Sequence, residues 1–359
     1  MKVVYNSYNG RFSDSPRALY ETLRAQGIGD EHVWLQDPHH AATFPPDTRT
    51  VAIATQESVA ALESADLLIS NTHIQLDDWA KPAGATYLQT WHGTPLKRIH
   101  RAAVSIPEPS AMDALDADIA RWDFLVTPSR AGTGLLRSAF DYTGRILETG
   151  YPRNDALNAG DRHERRHRVR LELGLSEADT AVLYAPTYRD DDVIEREVPF
   201  ALDPVALVDR LGDGYRMLLR RHYFLAQQGP FTGDDRIVEV SAHPDAADLY
   251  LAADVLITDY SSVIFDFAVT GKPILLFAYD LEHYRDRLRG FTLDLEVDMP
   301  GPVLYDQDQL AEALLDLPAL VASYAERYTN FRGLYCHLDD GHATERVVAQ
   351  LRTLRVAGG

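Results

Sequence analysis

Short apolar runs alternate with amphipathic stretches along the whole chain. "KVVY" (Lys2 to Tyr5), "TVAIA" (Thr50 to Ala54), "LLIS" (Leu67 to Ser70), "TYLQT" (Thr86 to Thr90), "FLVT" (Phe124 to Thr127) and "RILE" (Arg145 to Glu148) predict strands. None alternates cleanly between apolar and polar, as expected for strands covered on both faces. Between them lie helical stretches. In "SPRALYETLRAQG", Ser15 reads as the N-cap, Pro16 as the first helical residue and Gly27 as the stop. A second helix is predicted from Ser129 to Ala139.

The series then begins again. "AVLYAPT" (Ala181 to Thr187), "RMLLR" (Arg216 to Arg220), "IVEV" (Ile237 to Val240), "DVLITD" (Asp254 to Asp259) and "PILLFAY" (Pro273 to Tyr279) predict strands with helices between them. Such alternation implies parallel sheets with helices on both faces. The break falls in the polar segment at 157–170. At the C-terminus, "HATERVVAQLRTLRV" predicts an amphipathic helix with Val347, Val348, Leu351 and Leu354 on one face. The expected organisation is an α/β protein of two doubly wound domains with a cleft between them. They cover residues 1–160 and 161–345, and a terminal helix at 346–359 packs back on the first.

Composition narrows the class. Of 359 residues, 45% are hydrophobic and 25% charged, which is the balance of a globular protein. No run of eighteen apolar residues is present, and "MKVVYNSYNGRF" has neither an apolar core nor a cleavage site. The lone Cys336 allows no internal disulfide and no thiolate metal cluster. These features predict a cytoplasmic protein. A net charge of −19 argues against nucleic acid as a partner and against simple adsorption to anionic lipid. The one basic run, "RHERRHRVR" (Arg162 to Arg170), reads as a solvated helix face or, more sharply, as a patch for anionic lipid or a polyanionic acceptor.

In open α/β sheets, ligands bind beyond the carboxyl ends of the strands, so polar residues just after each strand carry the candidate chemistry. In "LQTWHGTPLKR", Trp91 and His92 follow the strand ending at Thr90. Gly93 permits a tight turn, and Thr94 and Pro95 suit the start of a helix or turn. His92 suits a proton acceptor, though a capping or core histidine would look the same locally. In "LLITDYSSVIFDF", Thr258 ends a strand and Ser261 and Ser262 open a helix. Such a start suits phosphate and equally suits a plain N-cap. Arg220, Arg221 and His222 in "LLRRHYF" place basic groups at another strand end, fit to neutralise phosphoryl oxygens. "YAPTYRDDD" supplies Thr187 and Arg189, and its aspartates read as a solvated loop more readily than as a metal site. In "ETGYPRND", Arg153 is a candidate, while Asn154 and Asp155 read also as a simple helix cap.

There is no GxxxxGK[ST] loop, no GxGxxG after the first strand, no GxSxG and no HExxH. His73, His100 and His283 read as surface or structural, and His243 rivals His222 as a second functional histidine.

Taken together, "TWHGTPLKR", "GYPRND", "YAPTYRD", "RRHYF", "ITDYSSVIFDF", "KPILLFAYDLEHYRD" and "RGFTLDLE" with "PGPV" resemble the CDP-glycerol glycerophosphotransferase family of teichoic-acid-type polymer synthesis. "SDSPRALYETLRAQG" is also similar to that family's N-terminal segment, so the resemblance runs from about residue 8 to about residue 340. It implies two facing Rossmann-like domains of the glycosyltransferase-B type, an acceptor side first and a donor domain second. The implied reaction moves glycerol phosphate, or a related polyol phosphate, from a CDP-activated donor to a hydroxyl of a membrane-linked glycan or polyol-phosphate acceptor, releasing CMP. It implies no cofactor and no metal. By resemblance, His92 is the general base and His222, with Arg220 or Arg221, meets the donor phosphates. Thr258, Ser261 and Ser262 match the donor pyrophosphate site, with Arg189 and Arg289 as further donor contacts. Trp91, Gly93, Thr94 and Arg153 fall on the acceptor side.

Two departures leave alternatives open. The chain starts close to the motif-bearing region, without the extra N-terminal region of some polymerising members, so single addition and polymerisation stand equal. Arg221 occupies a position commonly uncharged in the family, which leaves the polyol open. A nucleotide-sugar-dependent glycosyltransferase of the same fold is the alternative enzyme, and a CDP-binding module without turnover the alternative outside catalysis. "AAVSIPEPSAM" (Ala102 to Met112) reads as ordinary packing or as a small amphipathic patch for peripheral membrane contact. The oligomeric state is not legible.

Overall fold

The computed structural model describes residues 1–76, 79–103, 109–187, 201–221 and 233–356. They form two α/β units, each built on one all-parallel sheet. The first sheet contains β1 (Lys2–Asn6), β2 (Glu31–Gln36), β3 (Thr50–Ala52), β4 (Leu67–Ser70), β5 (Thr86–Gln89), β6 (Phe124–Thr127) and β7 (Arg145–Glu148). Their order is β3-β2-β1-β4-β5-β6-β7. The second contains β8 (Thr180–Tyr184), β9 (Tyr215–Leu219), β10 (Ile237–Glu239), β11 (Val255–Thr258), β12 (Ile274–Phe277) and β13 (Val303–Leu304), in the order β10-β9-β8-β11-β12-β13. In both, the order reverses beside the unit's first strand, the doubly wound arrangement predicted above. β4, β6, β11 and β12 are buried along their whole length, which is why they lack alternation.

Two strands escape the periodicity argument. β2 begins with the polar pair Glu31 and His32, and only Val33, Trp34 and Leu35 are buried. β13 is two residues long. The first helix runs Asp14–Ala25, with Ser13 rather than Ser15 at its N-cap. Asp14 takes a left-handed φ of 61° that aspartate tolerates better than most residues. No helix follows Thr94; a short 3-10 turn at His100–Ala102 is the next element.

The chain does not divide at one point. The first unit holds Met1–Thr94, the described residues from 109 to Ala156, and the chain from His337 onward. The second holds Pro95 to Ala103 and Leu157–Cys336. By packing, the chain passes from the first unit to the second after Ala156 and returns at His337, beside the expected limits of 160 and 345, with an additional excursion after Thr94. The helix Ala343–Val356 buries Val347, Val348 and Leu351 in the same core as Val3, Tyr5, Leu19, Trp34 and Ile69. Asp155 caps its start, accepting from the backbone N–H groups of Ala343 and Thr344 at 2.8 Å each. Beside it, Gly150 (φ 84°) lies so close to the Leu338 carbonyl that a Cβ would approach to 2.4 Å. The second core gathers Val182, Tyr184, Leu207, Met217, Val255, Ile257, Leu275 and Phe277.

The basic run resolves differently from either expectation. On the helix Arg162–Glu172, Arg165 pairs with Asp245 (2.8 Å) and Asp248 (2.5 Å). Arg166 donates to the carbonyls of Leu251 and Ala252 and pairs with Asp254. Arg170 is fully buried and donates to Ala252, Ser176 and Asp179 carbonyls and to Asp254. Arg166 and Arg170 complement the carbonyl end of the helix Ala246–Ala252, where cations are favoured, while Arg165 meets the acidic residues at its start. Replacing Arg170 by alanine removes one of the two arginines that meet Asp254 and a donor from each of three carbonyls inside the fold, and unfolding in urea should show a loss of about 3 kcal/mol or more.

Candidate functional site

The reversal of strand order beside β1 gathers the loops after β1, β4 and β5 at one edge of the first sheet. After β5 the backbone turns through two left-handed residues, Trp91 (φ 51°) and Gly93 (φ 147°). For glycine this costs little; for tryptophan it is strained by roughly 1–2 kcal/mol. Packing holds Trp91 there. Its backbone N–H donates to Gln89 Oε1 (2.9 Å), and its ring meets Phe140 edge-on at 4.6 Å and His73 at 5.5 Å. Thus the strained, buried Trp91 fixes the direction in which the next residue, His92, leaves the sheet.

His92 is half-buried, with protein around most of the ring. Its Nδ1 lies 2.5 Å from the Asn71 carbonyl oxygen. A carbonyl only accepts, so Nδ1 carries the proton and Nε2 carries the lone pair. Burial pushes the imidazole down to about 4, against the smaller opposing effects of the Asn71 carbonyl and Asp14. The ring is therefore neutral at physiological pH, the state a proton acceptor requires.

Around it stand groups that no sequence motif singled out. Tyr8, in the left-handed turn after β1, tilts against His92 with ring centroids 5.3 Å apart. Its backbone N–H donates to Asn71 Oδ1 (2.9 Å), and its hydroxyl donates to Asp14 Oδ2 (3.1 Å). Asp14, whose side chain is 7% exposed, also accepts from Arg153 at 3.0 Å and from the Ser15 N–H at 2.6 Å. Burial opposes its charge, but the Arg153 guanidinium and that N–H outweigh it and hold the carboxyl below its ordinary range. Asp14 directly precedes the predicted helix start, and Asn71 contributes its carbonyl and its side chain from the loop after β4; neither leaves a signature. Of the acceptor-side candidates, Trp91, Gly93, Thr94 and Arg153 all belong to this unit, with Thr94 buried and Arg153 engaged by Asp14 and lying over Tyr151 at 4.8 Å. His73 is buried and structural, bonded to Asp118 (3.2 Å) and stacked on Trp122.

In the second unit, Thr258 is fully buried and its hydroxyl donates to the Ala185 carbonyl (2.7 Å), tying the end of β11 to that of β8. The geometry gives Thr258 a positioning task. Asp259 accepts from the N–H groups of Thr187 (2.8 Å) and Tyr260 (2.6 Å). Ser261 and Ser262 are half-buried before the helix Val263–Ala268, and the Ser262 side chain does not cap that helix. Tyr260 joins three motifs: its hydroxyl donates to Asp280 (2.8 Å), and its ring packs on Tyr284 (4.3 Å) and Phe291 (5.1 Å). Arg289, half-buried, ends the turn at Tyr284–Leu288. The following residues clamp the segment after Pro95: Thr292 donates to Pro95 and Leu96 carbonyls, and Arg98 donates to Gly290 and Phe291 carbonyls.

Arg220 is half-buried and donates to the carbonyls of Val240 (3.4 Å) and His243 (3.2 Å). Arg221 is buried and paired with Glu239 at 2.8 Å, so its charge is met within the unit. His243 is half-buried, its Nδ1 3.1 Å from the Asp245 carbonyl. His222 and Arg189 lie outside the described residues, as do the aspartates at 190–192 and Val104 and Ile106; Met112 is buried. Among the described residues, no group of three or more His, Cys, Asp or Glu side chains is placed to hold a metal, and no helix is long and apolar enough to cross a membrane.

The family described as CDP-Glycerol:Poly(glycerophosphate) glycerophosphotransferase matches residues 1–352. A teichoic acid glycerol-phosphate transferase of Staphylococcus aureus is 36% identical over 96% of this chain and 91% of its own length. A teichoic acid poly(glycerol phosphate) polymerase of Bacillus subtilis is 33% identical over 96% of this chain, which spans only 48% of that protein. Among solved structures, the wall teichoic acid polymerase TagF superposes with a TM-score of 0.90 at 33% identity, over 98% of this chain and 88% of that one. A sucrose-phosphate synthase matches in fold alone, with a TM-score of 0.54 at 16% identity.

The His92 geometry makes a spectroscopic prediction. Nitrogen-detected NMR should show a neutral Nδ1–H tautomer that protonates near pH 4. Because the unfolded ring binds its proton near pH 6.5, the unfolded state holds more protons across that interval. His92 should therefore lower stability as pH falls from 6.5 towards 4, and His92→Asn should flatten that slope.

Proposed function

Because the chain belongs to the CDP-Glycerol:Poly(glycerophosphate) glycerophosphotransferase family, we propose that it transfers glycerol phosphate from CDP-glycerol to a hydroxyl of a lipid-linked or polyol-phosphate acceptor. The supporting observation is His92 itself: a strand-end histidine, neutral at physiological pH, with Nδ1 committed to Asn71 and Nε2 left as the basic atom. In this reading the acceptor oxygen attacks the β-phosphorus while its proton passes to Nε2. The bond from that phosphorus to the bridging oxygen breaks, and CMP departs with the electron pair. A base this weak is matched to a hydroxyl whose proton is released only as the new bond forms. The donor's negative charge would raise the imidazole's affinity for the proton once bound.

Ser261 and Ser262, with the backbone N–H groups beside them, are the proposed contacts of the donor phosphates. Arg220, Arg189, Arg289 and His222 would add positive charge as the leaving group develops, the main requirement of phosphoryl transfer. Trp91, Gly93, Thr94 and Arg153 would shape the acceptor side. The donor is a substrate and no resident cofactor or metal is invoked. The acceptor, a product of membrane-bound synthesis, would place the reaction at the inner membrane face by peripheral contact.

Incubation with labelled CDP-glycerol and a lipid-linked glycerol phosphate acceptor should release CMP in step with acceptor extension. His92→Ala should slow it about a hundredfold or more. CMP release that persists unchanged in His92→Ala would overturn the base assignment, and calorimetric binding of UDP-sugars in preference to CDP-glycerol would overturn the donor.

A further inference from the structure

We propose that Asp14 is the counter-charge for the His92 imidazolium that forms when the acceptor hydroxyl gives up its proton, with Tyr8 and Arg153 holding it in place; this rests on the transfer reaction proposed above. Six polar groups from four loops and one helix meet here. Tyr8 follows β1, Asp14 opens the first helix, Asn71 and His73 follow β4, His92 follows β5 and Arg153 follows β7. They form one connected set. His92 Nδ1 donates to the Asn71 carbonyl, Asn71 Oδ1 accepts from the Tyr8 N–H, and the Tyr8 hydroxyl and Arg153 guanidinium both donate to Asp14 Oδ2. Tyr8 spans this set, with its ring on His92 and its hydroxyl on Asp14.

The geometry is specific to an ionised carboxylate. Asp14 stands at φ 61°, off the ordinary helical path, and its side chain is 7% exposed. Both oxygens accept, Oδ1 from the Ser15 N–H and Oδ2 from Tyr8 and Arg153. A residue needed only to begin a helix requires neither the left-handed backbone nor a paired arginine. An imidazolium formed beside Arg153 without Asp14 would face an uncompensated permanent cation in a site poorly reached by water. With Asp14 present, the pair offers the incoming proton a negative group, and the Arg153 charge is spent on Asp14. His73, the other ionisable group bearing on His92, is itself bonded to Asp118 and stacked on Trp122. Asp14 touches no reacting atom in this account; it is a positioning residue that acts through charge.

The test uses the full chain with Asp14→Asn, Arg153→Gln and the double variant. Asparagine tolerates the left-handed backbone and can keep the bonds from Tyr8 and Ser15, so the charge is removed with little else. Two readouts are followed: the NMR titration of the His92 ring, which needs no turnover, and the pH profile of kcat/KM with CDP-glycerol, which reports the free enzyme. Asp14→Asn should lower the His92 midpoint by about 1 pH unit and reduce kcat/KM on the plateau about tenfold or more. Arg153→Gln should raise the midpoint by a similar amount, moving it into an easily followed range, and the double variant should return it towards wild type. A purely structural pair would lower activity without moving the midpoint, and the double variant would then be no better than either single one.

Midpoints unmoved in folded variants, or moved in the same direction by both, would overturn the proposal. If Asp14→Asn fails to fold, Arg153→Gln and the double variant carry the same comparison. Absence of transfer by the wild-type protein would count against the reaction, whereas opposite midpoint shifts without transfer would uphold the charge coupling on its own.

Discussion

A carbonyl oxygen can accept a hydrogen bond and never donate one, and the candidate site is organised around that asymmetry. By offering His92 an acceptor, Asn71 decides which ring nitrogen holds a proton and which holds a lone pair. The same residue's side chain accepts from the Tyr8 backbone, so the loop after β4 sets both the tautomer and the position of the aromatic ring beside it. Three features of the first unit bring that carbonyl to that ring. Sheet order puts the loops side by side, the strained Trp91 turns the chain, and the cluster of Phe140, His73 and Trp122 keeps Trp91 where its backbone would not otherwise stay.

The second unit uses its motif residues for one another before any substrate arrives. Tyr260 locks to Asp280, Tyr284 and Phe291, Thr258 to Ala185, and Asp259 to Thr187. Residues that recur together along the chain are thus in contact. Their co-occurrence reflects a rigid frame as much as direct ligand contact. Ser261 and Ser262, standing half-buried on that frame, are better placed to meet a phosphate than the buried Thr258 beneath them.

How much of this was legible follows from what sequence signals record. Fully buried strands such as β4 and β11 announce themselves as unbroken apolar runs, whereas β2 hides behind Glu31 and His32. His92 was visible because a histidine and a glycine directly follow a strand. Asp14 was not, because its partner Arg153 lies far along the chain and only the fold joins them. The basic run at 162–170 was misread for a related reason. Local sequence shows the charges on one helix but not the carbonyls and aspartates of the Ala246–Ala252 region that they meet. The chain also crosses between units after Thr94 and again at Cys336, which no local pattern of residues marks.

The last crossing bears on how the protein is made. The first unit's core contains Val3 and Tyr5 but also Val347, Val348 and Leu351, while the second unit draws on no described residue beyond Cys336. On the ribosome, the earliest residues emerge hundreds of codons before the helix that completes their core. The usual order, in which the N-terminal domain matures first, is therefore inverted here. The second unit can finish folding during translation, while the unit that carries His92 waits for the helix Ala343–Val356 to emerge. A nascent chain stalled before that helix emerges would hold a formed second unit and an unfinished histidine site.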